Sequence, residues 1–205
     1  FFMTEFNHCR PNRFRAESGP MMGGYAALQN WDALFQFAWS HNDRNIRQDM
    51  PISTFDFANE PLAQLSDRLT MFLFRRGDVS PARERFAWNV PANFWNTDMP
   101  LEYPIDFSRL GLIAGVGTVV DNRQFSGVQV ISSSKAEGKT PLPDAKVETL
   151  RQMLFRTGVA ESSTGELRLN SRKNTLAIQT PRTLSATLAS GNLTAGALTV
   201  RGVKS

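Results

Sequence analysis

The run Phe1-Phe-Met-Thr-Glu-Phe-Asn-His-Cys-Arg10 constrains this chain more than any other stretch. A short apolar and β-branched segment gives way at once to Glu5, Asn7, His8 and Arg10. That pattern describes a buried strand delivering polar groups at its carboxyl end. A lone strand is not stable without flanking strands, so partner strands upstream of Phe1 are expected and the sequence reads as a fragment. Val203-Lys-Ser205 closes no recognisable element, and the same expectation applies there.

The next residues build on that strand. Asn7 to Pro20 reads as a long polar loop, of the length that often carries function. Pro20 opens a helical stretch over Met21 to Asn30, where Gly23-Gly24 implies close packing. Ala33-Leu-Phe-Gln-Phe-Ala-Trp39 is nearly continuous in apolar character, as expected of a parallel strand covered on both faces. It ends in Ser40, His41, Asn42 and Asp43. Strand, loop, helix and strand make a βαβ unit. Both polar clusters then fall at the carboxyl ends of adjacent parallel strands, the edge where α/β proteins place their chemistry.

Pro61 to Arg76 is a third segment with a strong signal. Pro61 suits the first helical position, Leu62, Leu65, Leu69, Phe72 and Leu73 make one apolar face for the core, and Gly77 supplies the stop. Asp78-Val-Ser-Pro-Ala82 reads as a linker. Beyond it the signals are mostly short strands and turns, a β-rich region over 78–205. Arg83 to Val90 alternates loosely, Leu110 to Val120 fits a strand or a short helix followed by one, and Ser132 to Pro143 is polar and loop-like. Asp144 to Thr157 fits a helix stopped by Gly158. The clearest β pattern is Glu166 to Asn170, a turn over Ser171 to Asn174, then Thr175 to Thr180: a hairpin with Leu167, Leu169, Leu176 and Ile178 on its buried face.

Bulk properties narrow the function classes. Lys+Arg 23 against Asp+Glu 19 gives a net charge of +4, spread along the chain without a basic block, which argues against nucleic-acid binding. The single cysteine, Cys9, leaves no internal disulfide. With only His8 and His41 beside it, the chain lacks the ligands for a Cys/His zinc site. No run reaches the roughly 20 apolar residues that span a bilayer, and no cofactor motif stands out.

The constellation that could carry chemistry is Glu5, Asn7, His8, Arg10, Asn12, Arg13, Arg15, Glu17, Trp39, Ser40 and His41. A carboxylate at a strand end, ringed by Asn, His and Arg beside an aromatic, suits carbohydrate chemistry. Nearby Arg and Asn donors keep a nucleophilic carboxylate ionised, and an indole offers a flat face to a sugar ring. The competing readings are a structural ion pair of Glu5 with Arg10 or Arg13, and a core role for Trp39. Glu17 could brace the long loop by pairing with Arg13 or Arg15. Asp43, Arg44, Asp49 and Asp56 read as a solvated loop, with no metal site.

Met3-Thr-Glu5-Phe-Asn7, then Pro11-Asn-Arg-Phe-Arg15, then Leu34-Phe-Gln-Phe-Ala-Trp39-Ser-His41 resembles the last two strands of a clan A glycoside hydrolase. Leu73-Phe-Arg-Arg-Gly-Asp-Val79 resembles the exit from that family's last barrel helix into trailing β-domains. The resemblance covers about residues 1–80. It implies a fold of α/β plus all-β class: the end of a (β/α)8 TIM barrel over 1–77, followed by β-sandwich-like accessory domains. It implies retaining hydrolysis of an O-glycosidic bond in a poly- or oligosaccharide, with Glu5 as nucleophile and Asn7, His8, Arg13, Trp39 and His41 binding substrate. An extracellular or periplasmic location is implied by the resemblance alone. That family's acid/base Glu lies on an earlier strand. Asn59-Glu60 matches its dipeptide only in letters, so the chain by itself is expected to be inactive. The alternative is a non-catalytic carbohydrate-binding or scaffolding protein whose β-rich half does the work.

Overall fold

A computed structural model describes residues 1–50, 53–96, 105–132 and 145–202. The expected opening unit forms. Strand β1 (Phe2–Phe6) lies parallel to β2 (Ala33–Gln36), with Phe2 opposite Ala33, Met3 opposite Leu34 and Phe6 opposite Gln36. A wide helical turn over Gly19–Gly23 runs into helix α1 (Gly24–Leu28) between them.

Among the described residues no barrel forms. β1 and β2 make a sheet of two strands only, and the other described sheets are a parallel trio, an antiparallel quartet and a separate hairpin. A barrel requires each strand to bond on both edges around a closed ring. Here Phe1, Phe2 and Phe35 are all more than half exposed. The buried first strand read from the sequence is therefore a largely exposed one.

Among the described residues the β-sandwich expected after residue 77 does not form either. Strand β3 (Arg85–Val90) is the centre of a parallel sheet, flanked by β4 (Gly115–Val120) and β5 (Gln129–Ser132). A parallel pair needs a crossover, and helix α4 (Ile105–Leu110) lies on the path from β3 to β4. Every residue of β3 except Arg85 is buried, the signature of a strand covered on both faces. The loose alternation of this segment concealed that. Phe86, Trp88 and Val90 pack with Phe107, Leu110 and Ile113 in one hydrophobic core. Trp88 therefore belongs to this sheet's own core, and the side chain of Trp95 lies outside the described residues.

Helix α5 (Ala145–Thr157) matches its expectation, with Gly158 in a left-handed conformation at φ +72° as its stop. The loop expected over 132–143 lies almost wholly outside the described residues. Strands β6 (Val159–Glu161), β7 (Leu167–Asn170), β8 (Thr175–Gln179) and β9 (Leu184–Leu188) follow as an antiparallel sheet, and β10 (Gly191–Ala195) pairs with β11 (Leu198–Gly202). The β7–β8 hairpin forms as expected, and its register sets Leu167 opposite Ile178 and Leu169 opposite Leu176.

A second core joins the two halves of the chain. Leu28, Leu73, Val79 and Ala82 pack with Leu167, Leu176 and Ile178. Each fully buried Leu or Ile here contributes roughly 1.5–3 kcal/mol. Asp78 and Val79 are buried, so Asp78–Ala82 is a junction and not an exposed linker. Asp78 takes a bidentate ion pair from Arg76 (2.6 and 2.9 Å) and a second from Arg182 at 3.1 Å.

Helix α3 (Pro61–Thr70) continues as a wider helical turn over Met71–Arg75. Glu60 caps it by accepting from the Ala63 N–H at 2.6 Å, and pairs with Arg15 at 3.2 Å. That pairing replaces the Arg15–Glu17 contact read from the sequence. The face presented to the core is also different. Leu62, Leu65, Met71 and Phe72 are exposed, whereas Ser66, Thr70 and Leu73 are buried. The inner face is small because it meets glycine backbone: a Cβ on Gly19 would lie 1.9 Å from the Ser66 carbonyl oxygen, and one on Gly23 would lie 2.8 Å from Thr70 Cα. No described helix is long and apolar enough to cross a membrane.

Candidate functional site

The parallel pairing puts the ends of β1 and β2 at one edge. The Phe37 N–H donates to the Phe6 carbonyl at 3.0 Å, so the two strands stay together past their regular ends. Glu5 precedes this contact and is exposed. The ion-pair alternative for it is not realised among the described residues. Arg10 donates to the Ser53 carbonyl at 3.2 Å, and the Arg13 guanidinium lies 4.5 Å over the Phe14 ring.

Beyond β2 the chain meets a returning segment. Ala38 N–H donates to the Phe55 carbonyl at 3.1 Å, Phe57 N–H to the Ala38 carbonyl at 3.2 Å, and Ala58 N–H to the Trp39 carbonyl at 3.0 Å. Asn7 locks the junction from the β1 side. Its amide NH2 donates to the Phe37 carbonyl and, at 2.9 Å, to the Phe55 carbonyl. Both contacts are made by the amide NH2, and Oδ1 takes no hydrogen bond among the described residues.

Two aromatic residues shape the surface here. Trp39 is 52% exposed, so it is not a core side chain, and Phe57 supports its ring edge-on at 5.3 Å. Phe37 meets the His41 ring edge-on at 5.3 Å.

The buried centre of the edge is Asp56, which sequence reading placed in a solvated loop. It is only 2% exposed. One oxygen takes the His41 ring through Nδ1; the other accepts from Asn45 Nδ2 at 2.6 Å, from the His41 N–H at 3.4 Å and from the Ser40 hydroxyl at 3.5 Å. Burial alone would push the Asp56 carboxyl up. The side-chain hydrogen bonds from His41 and Asn45, with the backbone N–H and charge of His41, outweigh it and hold the carboxyl below the usual carboxylate range. Asn45 is in place because the Asn42 side chain accepts its N–H at 3.1 Å and starts the short helix α2 (Asp43–Ile46). Asp43, Arg44 and Asp49 are exposed, as expected of a solvated loop; Asp56 is the exception.

His41 emerges from this arrangement oriented by a buried carboxylate and part-exposed. Its second ring nitrogen, Nε2, is not engaged by Asp56. Asn7 and His41 both meet Phe37 at this edge, Trp39 pairs with the returning segment, and Glu5 lies one residue before the end of β1. His8 follows Asn7 directly, half-buried, with Nδ1 lacking a partner. Arg13 lies elsewhere, along an open groove of about 770 Å³ lined also by Phe14, Glu17, Leu69, Thr187 and Ser190. Asp56 lies between Phe55 and Phe57, and no local sequence signal separates it from Asp43 and Asp49. Comparison with models of known protein families, with curated proteins and with solved structures finds no match.

Proposed function

We propose that the carboxyl edge of β1 and β2 binds a sugar, and that the chain carries the nucleophilic part of a retaining glycoside-hydrolysing site with Glu5 as the attacking carboxylate. One observation carries this reading: an exposed carboxylate with no ion pair among the described residues and a half-exposed indole stand at the same end of adjacent parallel strands. Trp39 supplies the flat apolar face on which C–H groups of a sugar ring rest. Asn7 and His41 supply fixed polar atoms for its hydroxyl groups.

In the proposed reaction a Glu5 oxygen attacks the anomeric carbon as the glycosidic C–O bond breaks. The leaving oxygen takes a proton from an acid, and water then releases the sugar from the glycosyl ester. The acid is a second carboxyl group. Asp56 and Glu60 are unsuited to it, because each is buried and held in hydrogen bonds. The acid therefore has to come from another residue, and the chain alone is expected to leave ordinary glycosides intact. The alternative reading, a binding protein working through its second half, has less support. The exposed large apolar side chains described there include Phe125, Phe155 and Leu184 but no tryptophan.

Dinitrophenyl fluoroglycosides test the role of Glu5, because so good a leaving group departs without acid assistance. A panel in gluco, galacto, manno and xylo configurations is incubated with the chain and read by intact mass and peptide mapping. The expected result is one fluoroglycosyl adduct on Glu5, absent from Glu5→Gln. An adduct mapped to any other residue, or no adduct from the whole panel, refutes the assignment.

A further inference from the structure

The antiparallel sheet of β6 to β9 ends in two unlike edges. Edge strand β6 is three residues long and closes on Glu161; shortness and charge are ordinary guards against further pairing. Edge strand β9 has neither. Leu184-Ser-Ala-Thr-Leu188 carries no charge and no proline, and its register with β8 runs without a bulge. That register also fixes which way the backbone faces. The Thr180 N–H donates to the Thr183 carbonyl at 2.9 Å, so alternation turns the main-chain groups of Ser185 and Thr187 toward β8 and those of Leu184, Ala186 and Leu188 outward. No strand among the described residues pairs with that outward row. The open groove of about 770 Å³ runs beside it, lined by Ser185 to Ser190 and, from other elements, by Arg13, Phe14, Glu17 and Leu69.

Two properties define what fits there. First, the strand reads alike in both directions. Turned end for end about Ala186, it sets Leu184 opposite Leu188, Ser185 opposite Thr187 and Ala186 opposite itself. Leucines then meet on one face and hydroxyls on the other, both favourable cross-strand pairs. The three outward-facing residues fall in hydrogen-bonded positions, where each pair exchanges both N–H···O bonds. Second, Arg13 and Glu17 line the groove, and neither has an ion pair among the described residues. A twofold axis beside β9 offers each of them the opposite charge from another molecule. Leu65 and Phe72, exposed on the turns either side of Leu69, add apolar surface to the same contact.

We infer that the groove receives strand β9 of a second copy of this chain, joining the two four-stranded sheets into one around a twofold axis, with Arg13 of each copy paired to Glu17 of the other. This inference is independent of the carbohydrate reading. Sedimentation velocity of the intact chain, from about 1 μM to about 500 μM, spans weak and moderate association. The expected result is a monomer–dimer equilibrium within that range. A chain that stays monomeric throughout leaves the edge to a different partner and overturns the inference. Ala186→Lys sets like charges opposite each other at the axis, from a side chain that is part-exposed in the single chain. It is expected to weaken dimerisation at least tenfold with the melting temperature held, and a dimer that survives it overturns the inference. A second arm does not depend on that variant folding. Arg13→Glu and Glu17→Arg are each expected to weaken self-association at least fivefold. An equimolar mixture of the two should recover to within about threefold of wild type, because each chain carries the charges the other lacks. A mixture that associates no better than its components refutes the pairing.

Discussion

Replacing Asp78 with alanine is expected to destabilise the fold by about 3 kcal/mol, for reasons that can be worked from its contacts. The carboxylate is buried, accepts from Arg76 Nε at 2.9 Å, Arg76 Nη2 at 2.6 Å and the Thr183 hydroxyl, and forms an ion pair with Arg182 Nε at 3.1 Å. A charge-assisted hydrogen bond contributes about 1.5–3 kcal/mol where both groups are dry. Both guanidinium groups here are about half exposed and regain water when the partner is lost. Each arginine link is therefore discounted to about 1 kcal/mol, and the threonine bond adds about 1 more. The hydrogen bonds from Arg76 hold the Asp78 carboxyl below its ordinary value, against burial, helped by Thr183 and the charges of Arg182 and Arg76. A depressed folded value means that the contribution is complete above the unfolded carboxylate value of about 4 and is lost as pH falls through the folded one. Urea unfolding of wild type and Asp78→Ala, at neutral pH and in steps below pH 4, should show a gap that closes in acid at equal m. A neutral-pH gap under about 1 kcal/mol, as for an ordinary surface pair, or a gap unchanged in acid, would refute the reasoning.

Two further predictions concern how the segments are joined. Gln29 donates to the Gly111 carbonyl at 2.9 Å and the Ala114 carbonyl at 2.6 Å, and accepts from the Val116 N–H at 2.8 Å, so it ties α1 to the entry of β4. Gln29→Ala leaves three backbone groups without that partner and should cost about 3 kcal/mol by urea unfolding, at about 1 kcal/mol each. Gly19→Ala puts a methyl group against the Ser66 carbonyl. An overpacking cost of about 3 kcal/mol should lower the melting temperature by roughly 6–12 °C in calorimetry, and an unchanged melting temperature would mean that α3 does not sit on this glycine.

These joints also explain which parts of the fold were legible in the sequence. The β7–β8 hairpin was readable because its determinants are local. Leucines and an isoleucine alternate on one face, Asn170 Oδ1 accepts from the N–H groups of Arg172 and Lys173, and Asn174 takes φ +50° to complete the turn. Strand β3 was harder. Arg85, Ala87 and Asn89 look like an outward face beside Phe86, Trp88 and Val90. Ala87 is small, and Asn89 accepts from the Asn122 N–H at 2.6 Å, so both are buried with no apolar bulk to announce it. Helix α3 misled in the opposite sense. Its leucines suggest the buried face, but Ser66 and Thr70 occupy it because Gly19 and Gly23 leave room only for small groups.

The candidate site divides along the same line. Glu5, Asn7, Trp39 and His41 could be read as strand-end residues because a run of apolar residues ending in polar ones is visible within a few positions. Asp56 could not. A carboxylate is stable in a dry interior only when enough donors converge on it, and those donors, Ser40, His41 and Asn45, precede it in the chain by 16, 15 and 11 residues. Neither the acid nor the donors carry the signal alone. Asp43 and Asp49 have the same composition around them and remain exposed. What separates Asp56 is backbone geometry: Ala38 and Trp39 hydrogen-bond to Phe55, Phe57 and Ala58, and that pairing carries the acid back beneath the histidine. A side chain whose burial depends on a return of the chain is specified by the pairing of two segments, so it becomes legible only once that pairing is known.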